Sequence, residues 1–136
     1  MRDSEHDNSI KVLQQLYGDL HNSHAYTAQG VGWKDVEGRN ARYDTLLNYD
    51  KQIVVPRTIL DVGCGYGNLA QYMKHWCRMN MAAYTGIDIV PEYIDFAKFS
   101  RGKYGSFHCR SAKEHAEKWG ENSYDLVVGS GTVGWW

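Results

Sequence analysis

The residues of this sequence best suited to bind a ligand are three alternate glycines, Gly63, Gly65 and Gly67, in the stretch TILDVGCGYGNLAQYM at 58–73. They follow an apolar run typical of a buried strand, and a helical pattern begins directly after them. Glycine allows a sharp turn and lets a ligand approach main-chain atoms that a Cβ would block. The N-terminus of the following helix also directs free N–H groups at the same space. The stretch predicts either a plain tight turn or a ligand site built from backbone.

An acidic residue separated from the glycines by a helix-sized segment favours the ligand site. Asp88 closes the second predicted strand, AYTGIDI, where a carboxylate can accept hydrogen bonds from both hydroxyls of a ribose. The spacing is D-x-G-x-G-x-G starting at Asp61, and Asn68 stands where the dinucleotide pattern G-x-G-x-x-G requires its third glycine. A nicotinamide-dependent enzyme is therefore the weaker alternative. A glycine turn with Asp88 as a strand-end cap is the structural alternative.

The elements that must position these residues alternate between strand and helix after Pro56. This alternation indicates βαβ units with right-handed crossovers, and therefore a parallel sheet covered by helices on both faces. In such a sheet the ligand lies beyond the carboxyl ends of the strands, where the glycine loop is placed. We predict strands at 58–62, 83–89, 106–109 and 124–129 and helices at 67–76, 91–99 and 111–119.

Two further helices are predicted in the N-terminal part, at 9–21 and at about 34–49, as an accessory layer over the ligand edge of the sheet. Asp7, Asn8 or Ser9 would cap the first helix. The length indicates a single domain at 1–136, with a helical preface at 1–52 and an α/β core at 53–136. The predicted apolar faces consist of Ile10, Leu13, Leu16, Tyr17 and Leu20 in the first helix and Val36, Tyr43, Leu46 and Leu47 in the second.

This combination resembles the class I S-adenosylmethionine-dependent methyltransferases. ILDVGCGYGNL is similar to their first motif, YTGIDIVPEYIDFAK to the strand, ribose-binding acid and helix that follow, and NSYDLVVGSGTV to their fourth strand. The resemblance implies a Rossmann-like, three-layer α/β sandwich with sheet order 3-2-1-4. It also implies transfer of a methyl group from S-adenosylmethionine to an unidentified small-molecule acceptor, with S-adenosylhomocysteine as the product.

The resemblance assigns the centre of the cofactor site to the glycine turn and the end of the second strand. Gly63, Cys64 and Gly65 would present their backbone to the methionine and ribose parts of the cofactor. Asp88 would hold the ribose hydroxyls, and Ile89 would pack on the adenine. Cys64 is interpreted as a small loop residue and not as a nucleophile.

Five more positions are assigned on the same basis. Asp61 would act through water or brace the glycine turn. Ser111, or a neighbouring N–H, would have to replace the acidic residue that often contacts the adenine amino group. Ser130 would address the transferred methyl group or its acceptor. In the preface, Arg42 would pair with the cofactor's carboxylate and Tyr26 would face its sulfonium. No catalytic base is assigned.

Composition excludes several other classes of function. A net charge of -1 and a pI near 6.6 argue against a nucleic-acid-coating surface. No apolar run reaches the roughly 18 residues that span a bilayer, and the polar N-terminus is no secretory signal, so a cytoplasmic protein is expected. Its three cysteines form no C-x-x-C pair, and His21 and His24 have no obvious third ligand nearby, so no metal is expected.

The sequence ends soon after the fourth predicted strand, whereas the resembled class has seven strands. We therefore expect either a truncated member or a homo-oligomer in which another copy covers the open edge of the fourth strand. A truncated or degenerate module that binds the cofactor without turnover is an alternative function. A pure interaction domain that uses the aromatic-rich edge is another alternative.

Overall fold

The computed structural model describes residues 2–31, 33–48, 56–76, 82–119 and 123–129. In this part of the chain, strands and helices alternate from residue 58 onward, as the sequence predicts. The strands are all parallel and lie in the order β3-β2-β1-β4, which confirms the predicted α/β topology. The elements are α1 (Arg2–His24), a 3-10 turn (Ala28–Val31), α2 (Val36–Asn48), β1 (Thr58–Val62), α3 (Asn68–Trp76), β2 (Ala83–Asp88), α4 (Pro91–Arg101), β3 (Ser106–Cys109), α5 (Ala112–Trp119) and β4 (Leu126–Gly129).

Helices cover both faces of the sheet, because alternate residues of a strand point to opposite sides. Ile59 of β1 packs in the larger core cluster, together with apolar residues of α2, α3 and α4. Its neighbour Leu60 packs with Ile87 of β2 in a second cluster that includes Ala112 of α5. The three-layer arrangement predicted from the sequence is confirmed.

The two N-terminal helices occupy different places. α2 packs into the core cluster on one face of the sheet through Tyr43 and Leu47. α1 instead packs over the residues that follow β2, where Ile89 and Val90 meet its apolar side. Only α1 therefore lies over the ligand edge, whereas the prediction placed both helices there. No helix in the described ranges has the length and apolar character needed to cross a bilayer.

Several sequence-based details of these helices are wrong. α1 begins at Arg2, so residues 7–9 lie inside the helix, and the Ser9 hydroxyl donates to the carbonyl oxygen of Glu5. Leu16 is 53% exposed and Val36 is 50% exposed, so neither belongs to the core. Asp35 caps α2, since its carboxylate accepts a hydrogen bond from the N–H of Gly38 at 2.7 Å. Tyr49, the predicted end of α2, lies outside the described residues.

Candidate functional site

The glycine turn between β1 and α3 has a backbone that only glycine adopts readily. Gly63, Gly65 and Gly67 have φ values of 79°, 56° and 80°, in the left-handed region. Other residues in that region lose about 1–2 kcal/mol each. The N–H groups of Gly63 and Cys64 both donate to the carbonyl oxygen of Ile87, at 2.9 and 3.0 Å. Because these donors are engaged, the turn has mainly acceptor capacity left for a ligand, at carbonyl oxygens that can each accept a second hydrogen bond, which suits a cationic or hydroxyl-bearing group.

Asp88 ties the end of β2 to this turn. Its Oδ2 accepts a hydrogen bond from the N–H of Gly65 at 2.9 Å, and its Oδ1 accepts one from the N–H of Val90 at 3.0 Å. The side chain is 5% exposed, and burial raises its pKa to about 6 against the lowering effect of these N–H donors. A carboxylate oxygen can accept more than one hydrogen bond. Asp88 can therefore hold the turn and still accept the hydroxyls of a ribose.

Asp61 lies on β1, buried beneath the same turn. Its Oδ2 accepts a hydrogen bond from the Tyr84 hydroxyl at 2.6 Å, whereas its Oδ1 has no hydrogen-bond partner among the described residues. Burial raises the pKa of Asp61 to about 7, the Tyr84 hydrogen bond opposes that rise, and the Asp88 charge adds to it. Because unsatisfied buried polar atoms are rare in folded proteins, this oxygen is a place for a ligand N–H group or a water.

Because its pKa is raised in the folded state, Asp61 makes the protein less stable as the pH rises. The folded-state pKa of about 7 lies above the ordinary value of 3.8, so the folded protein binds more protons than the unfolded chain between those values. Stability from this group is complete below pH 4 and is lost as the pH rises through 7. We expect the difference in free energy of unfolding between Asp61→Asn and the wild type to shift in favour of the variant by on the order of 4 kcal/mol from pH 4 to pH 8. Urea unfolding of both proteins across that range measures it, and a constant difference would contradict it.

Ile89, the predicted adenine contact, is buried under α1 in this structure. The side-chain amide of Gln14 donates to the carbonyl oxygen of Ile89 at 2.8 Å. The Tyr93 hydroxyl on α4 lies 2.9 Å from the carbonyl oxygen of Tyr17, which adds a second link to α1. Sequence analysis placed Tyr17 on the apolar side of the first helix but missed Gln14 and both of these contacts, since a helical pattern shows which side is apolar and not where it docks.

Tyr26 lies with aromatic side chains and not with the two carboxylates. Its ring is exposed and stacks on Phe96, with 4.4 Å between the centroids. Its N–H donates to the Tyr66 hydroxyl at 3.0 Å, and Nδ1 of His21 lies 2.7 Å from the same hydroxyl. Tyr66, between two of the turn's glycines, therefore links α1 and the segment after it to the glycine turn. Sequence analysis placed His21 at the end of the first helix and missed this link.

The remaining predicted positions are more scattered. Arg42 is on the exposed side of α2, whereas Arg39 on the same helix is half-buried, its guanidinium carbon 5.8 Å from the centre of the Tyr43 ring. The Cys64 side chain is buried, which raises its pKa well above the ordinary value and fits a structural residue. Ser130 lies outside the described residues.

Ser111 has a structural task at the start of α5. Its hydroxyl accepts a hydrogen bond from the N–H of Glu114 at 3.1 Å, and its own N–H donates to Oε1 of Glu114 at 3.1 Å. This reciprocal pair is a capping box, recognisable in the sequence as SAKE. Since its N–H and hydroxyl are both engaged, the predicted contact between Ser111 and adenine stays a prediction without support from this geometry.

Comparison with known proteins identifies the class to which this fold and site belong. The sequence profile of a family described as "Methyltransferase domain" matches residues 59–136, which is more than half of the chain. The chain belongs to this methyltransferase family, and its fold is that of the class I enzymes, which use S-adenosylmethionine.

Individual proteins to which this chain is similar are also named as methyltransferases. The chain is 29% identical to the malonyl-[acyl-carrier protein] O-methyltransferase of Anoxybacillus flavithermus (strain DSM 21510 / WK1), over 71% of this chain and 39% of that protein. Two solved plantazolicin methyltransferases, each in complex with a desmethylPZN analog and SAH, have the same fold. BamL has a TM-score of 0.52 at 22% identity, over 89% of this chain and 47% of its own. BpumL has a TM-score of 0.53 at 19% identity, over 88% of this chain and 48% of its own. The chain thus spans less than half the length of these relatives.

The residues present fit S-adenosylmethionine. Asp88 can take the ribose, the glycine turn has carbonyl oxygens with further acceptor capacity, and Asp61 has a buried oxygen without a partner among the described residues. Two buried carboxyls at one edge of the sheet give that edge an acidic character, which suits a ligand with a sulfonium and an ammonium group.

Proposed function

We propose that this chain binds S-adenosylmethionine in the described site and transfers its methyl group to a small-molecule acceptor. The observation that carries the proposal is the bond between the N–H of Gly65 and Oδ2 of Asp88. It holds the glycine turn and the ribose-binding acid as one unit at the carboxyl ends of β1 and β2. In an open parallel sheet this is where a nucleoside binds.

The work of the protein in this reaction is positioning. When bound, S-adenosylmethionine supplies a methyl group that its sulfonium already activates. Asp88 holds the ribose, and the turn at Gly63 and Gly65 sets the distance between the backbone and the methionine part. α1, tied down through Gln14 and Tyr66, keeps water away from that side. Fixing donor and acceptor in line can supply several kcal/mol of the barrier, so no general base is required unless the acceptor must lose a proton.

The named relatives support an acceptor that is small or carried by a protein. One is called a malonyl-[acyl-carrier protein] O-methyltransferase, and two were solved with a desmethylPZN analog. We propose a small-molecule acceptor for this chain and assign no nucleic-acid substrate, in line with its net charge of -1. We also propose that the chain forms one domain, because α1 and α2 both pack on the core that carries the site.

The proposal predicts selective binding of S-adenosylhomocysteine. Calorimetry at pH 8 should give one site for S-adenosylhomocysteine and no binding of NAD. At one hundred times its Kd, the ligand should raise the free energy of unfolding by about 2.7 kcal/mol. Transfer of labelled methyl from S-adenosylmethionine to small molecules of a cell extract would then establish turnover. Binding without any transfer would favour the non-catalytic module, and NAD binding or no nucleoside binding would refute the proposal.

A further inference from the structure

We propose that Tyr84 is a positioning residue of this site. Its hydroxyl holds one oxygen of Asp61, so that the other oxygen stays open for the ammonium group on the methionine part of the cofactor. This inference rests on the proposed function. It adds a residue that lies outside both the glycine turn and the ribose-binding end of β2.

The geometry of β2 is built around the Tyr84 hydroxyl. Tyr84 is 3% exposed and Asp61 is 2% exposed, and the hydroxyl donates to Oδ2 at 2.6 Å. A Cβ on Gly86 would lie 2.9 Å from the Tyr84 oxygen and 2.9 Å from the sulfur of Cys64. The absence of a side chain at 86 therefore leaves room for both this hydroxyl and the side chain of Cys64, whose own Cβ would lie 2.8 Å from a Cβ at 86.

Strand pairing brings the two acids to one place. Asp61 on β1 is the register partner of Gly86 on β2. Tyr84, Gly86 and Asp88 alternate along β2, so they point to the same face of the sheet. Tyr84 reaches Asp61 across the pair, and Asp88 reaches Gly65 one step further toward the site.

Among the described residues no positive charge acts directly on Asp61, whereas Arg39 and Arg101 act on its neighbour Tyr43. The ionisable groups that interact with it in the described residues are Tyr84 and Asp88 on β2, Tyr43 on α2 and Cys64 in the turn. All are acids. An ionised carboxyl buried among acids is unfavourable, and a cationic group of the ligand would offset that cost. An ammonium group, with three N–H donors, suits the oxygen that Tyr84 leaves open.

Tyr84 also determines when Asp61 is ionised. Its hydrogen bond lowers the pKa of Asp61, which burial raises to about 7. Without that bond the pKa rises further, and the carboxyl is protonated at neutral pH, when it cannot pair with an ammonium group. The loss of affinity in a variant without the hydroxyl should therefore depend on pH and disappear in mild alkali.

The experiment compares the Kd of S-adenosylhomocysteine at pH 7 and pH 8.5 in the wild type, Tyr84→Phe and Tyr124→Phe. If losing the hydrogen bond from Tyr84 favours the protonated form of Asp61 about tenfold, the ionised share of Asp61 at pH 7 falls from about a half to about a tenth. We then expect Tyr84→Phe to bind about fivefold more weakly at pH 7 and within about 1.5-fold of the wild type at pH 8.5. Tyr124→Phe removes a hydroxyl bonded to His115, in the core on the other face of the sheet, and should match the wild type throughout.

A ligand without the amino-acid part isolates the ammonium group. 5′-Methylthioadenosine should bind the wild type and Tyr84→Phe equally at both pH values. A loss that is the same at pH 7 and pH 8.5, or that also occurs with 5′-methylthioadenosine, would overturn the proposal, because Tyr84 would then act through packing alone.

A second variant tests the proposal if Tyr84→Phe does not fold. Asp61→Asn keeps the shape of the side chain but cannot ionise. Its Kd for S-adenosylhomocysteine should stay constant between pH 7 and pH 8.5, while that of the wild type tightens about twofold. Tightening in Asp61→Asn as well would overturn the proposal. If the wild type fails to bind at pH 8.5, the proposed function fails; if it binds with no pH dependence in this range, only the inference about Tyr84 fails.

Discussion

Asp88→Ala is expected to weaken the binding of S-adenosylhomocysteine by about 1–3 kcal/mol, or roughly 5- to 150-fold in Kd. Two charge-assisted hydrogen bonds to the ribose hydroxyls are lost, and such bonds are stronger than bonds between neutral groups. The variant also loses the bond from the N–H of Gly65, which leaves the glycine turn less well held. Calorimetry at pH 8 measures the change, because Asp88, with a pKa of about 6, is ionised at that pH.

Two controls separate the ribose contact from the effect on the turn. Asp95→Ala removes an exposed carboxyl from α4 and should leave the Kd unchanged. 2′,3′-Dideoxyadenosine lacks both hydroxyls, so a deficit caused by the lost ribose contact should vanish with that ligand, whereas a distorted turn should weaken it as well. Unchanged binding of S-adenosylhomocysteine to Asp88→Ala would show that the ribose is anchored elsewhere.

Gly67→Ala is expected to lower the free energy of unfolding by about 2–5 kcal/mol. Its φ of 80° costs an alanine about 1–2 kcal/mol. The added Cβ would also lie 2.6 Å from Cε1 and 2.7 Å from Cζ of Phe107, far inside normal contact distance. Phe107 is a buried residue of β3 in the core cluster, so relieving the clash requires the core to shift, at about 1–3 kcal/mol.

Gly18→Ala is the matched control. Gly18 lies in the middle of α1, and a Cβ there would meet nothing within 4 Å. Alanine should stabilise the helix by about 0.5–1 kcal/mol, because glycine loses more backbone freedom on folding. Urea unfolding should therefore show that the same chemical change, glycine to alanine, lowers the free energy of unfolding at position 67 and raises it at position 18. A Gly67→Ala protein as stable as the wild type would mean that the turn is not held as described.

At Asp61 and Asp88, binding of a cationic cofactor and stability of the protein without ligand make opposite demands on the protonation state of the carboxyl group. In the proposed site, burial places Asp61 and Asp88 where a cationic cofactor would meet them in a low dielectric, and the same burial raises their pKa values to about 7 and about 6. We therefore expect the proposed site to bind its cofactor best above the pH at which the protein alone gains most stability from these groups. A bound ammonium group would offset part of that cost.

The sequence by itself determined the parallel sheet and the two features at the centre of the candidate site, which are the glycine turn and the acid that ends β2. Strand and helix periodicities are local, and the right-handed crossover converts their alternation into a parallel sheet without further information. The order β3-β2-β1-β4 came from the resemblance to the class I methyltransferases, since crossover handedness alone does not fix the order of the strands. With β1 and β2 as neighbours, their carboxyl ends lie side by side, and Gly65 meets Asp88 although the two residues are 23 positions apart.

Only the tertiary structure decided where side chains of distant segments meet. Gln14 reaches Ile89 across 75 positions, and Tyr84 reaches Asp61 across a strand pair. The apolar pattern of α1 suggested Leu16 as a core residue, but the docked helix leaves it exposed. A periodic pattern defines which side of a helix or strand is apolar, whereas the partner of each side chain depends on packing that no local stretch of sequence encodes.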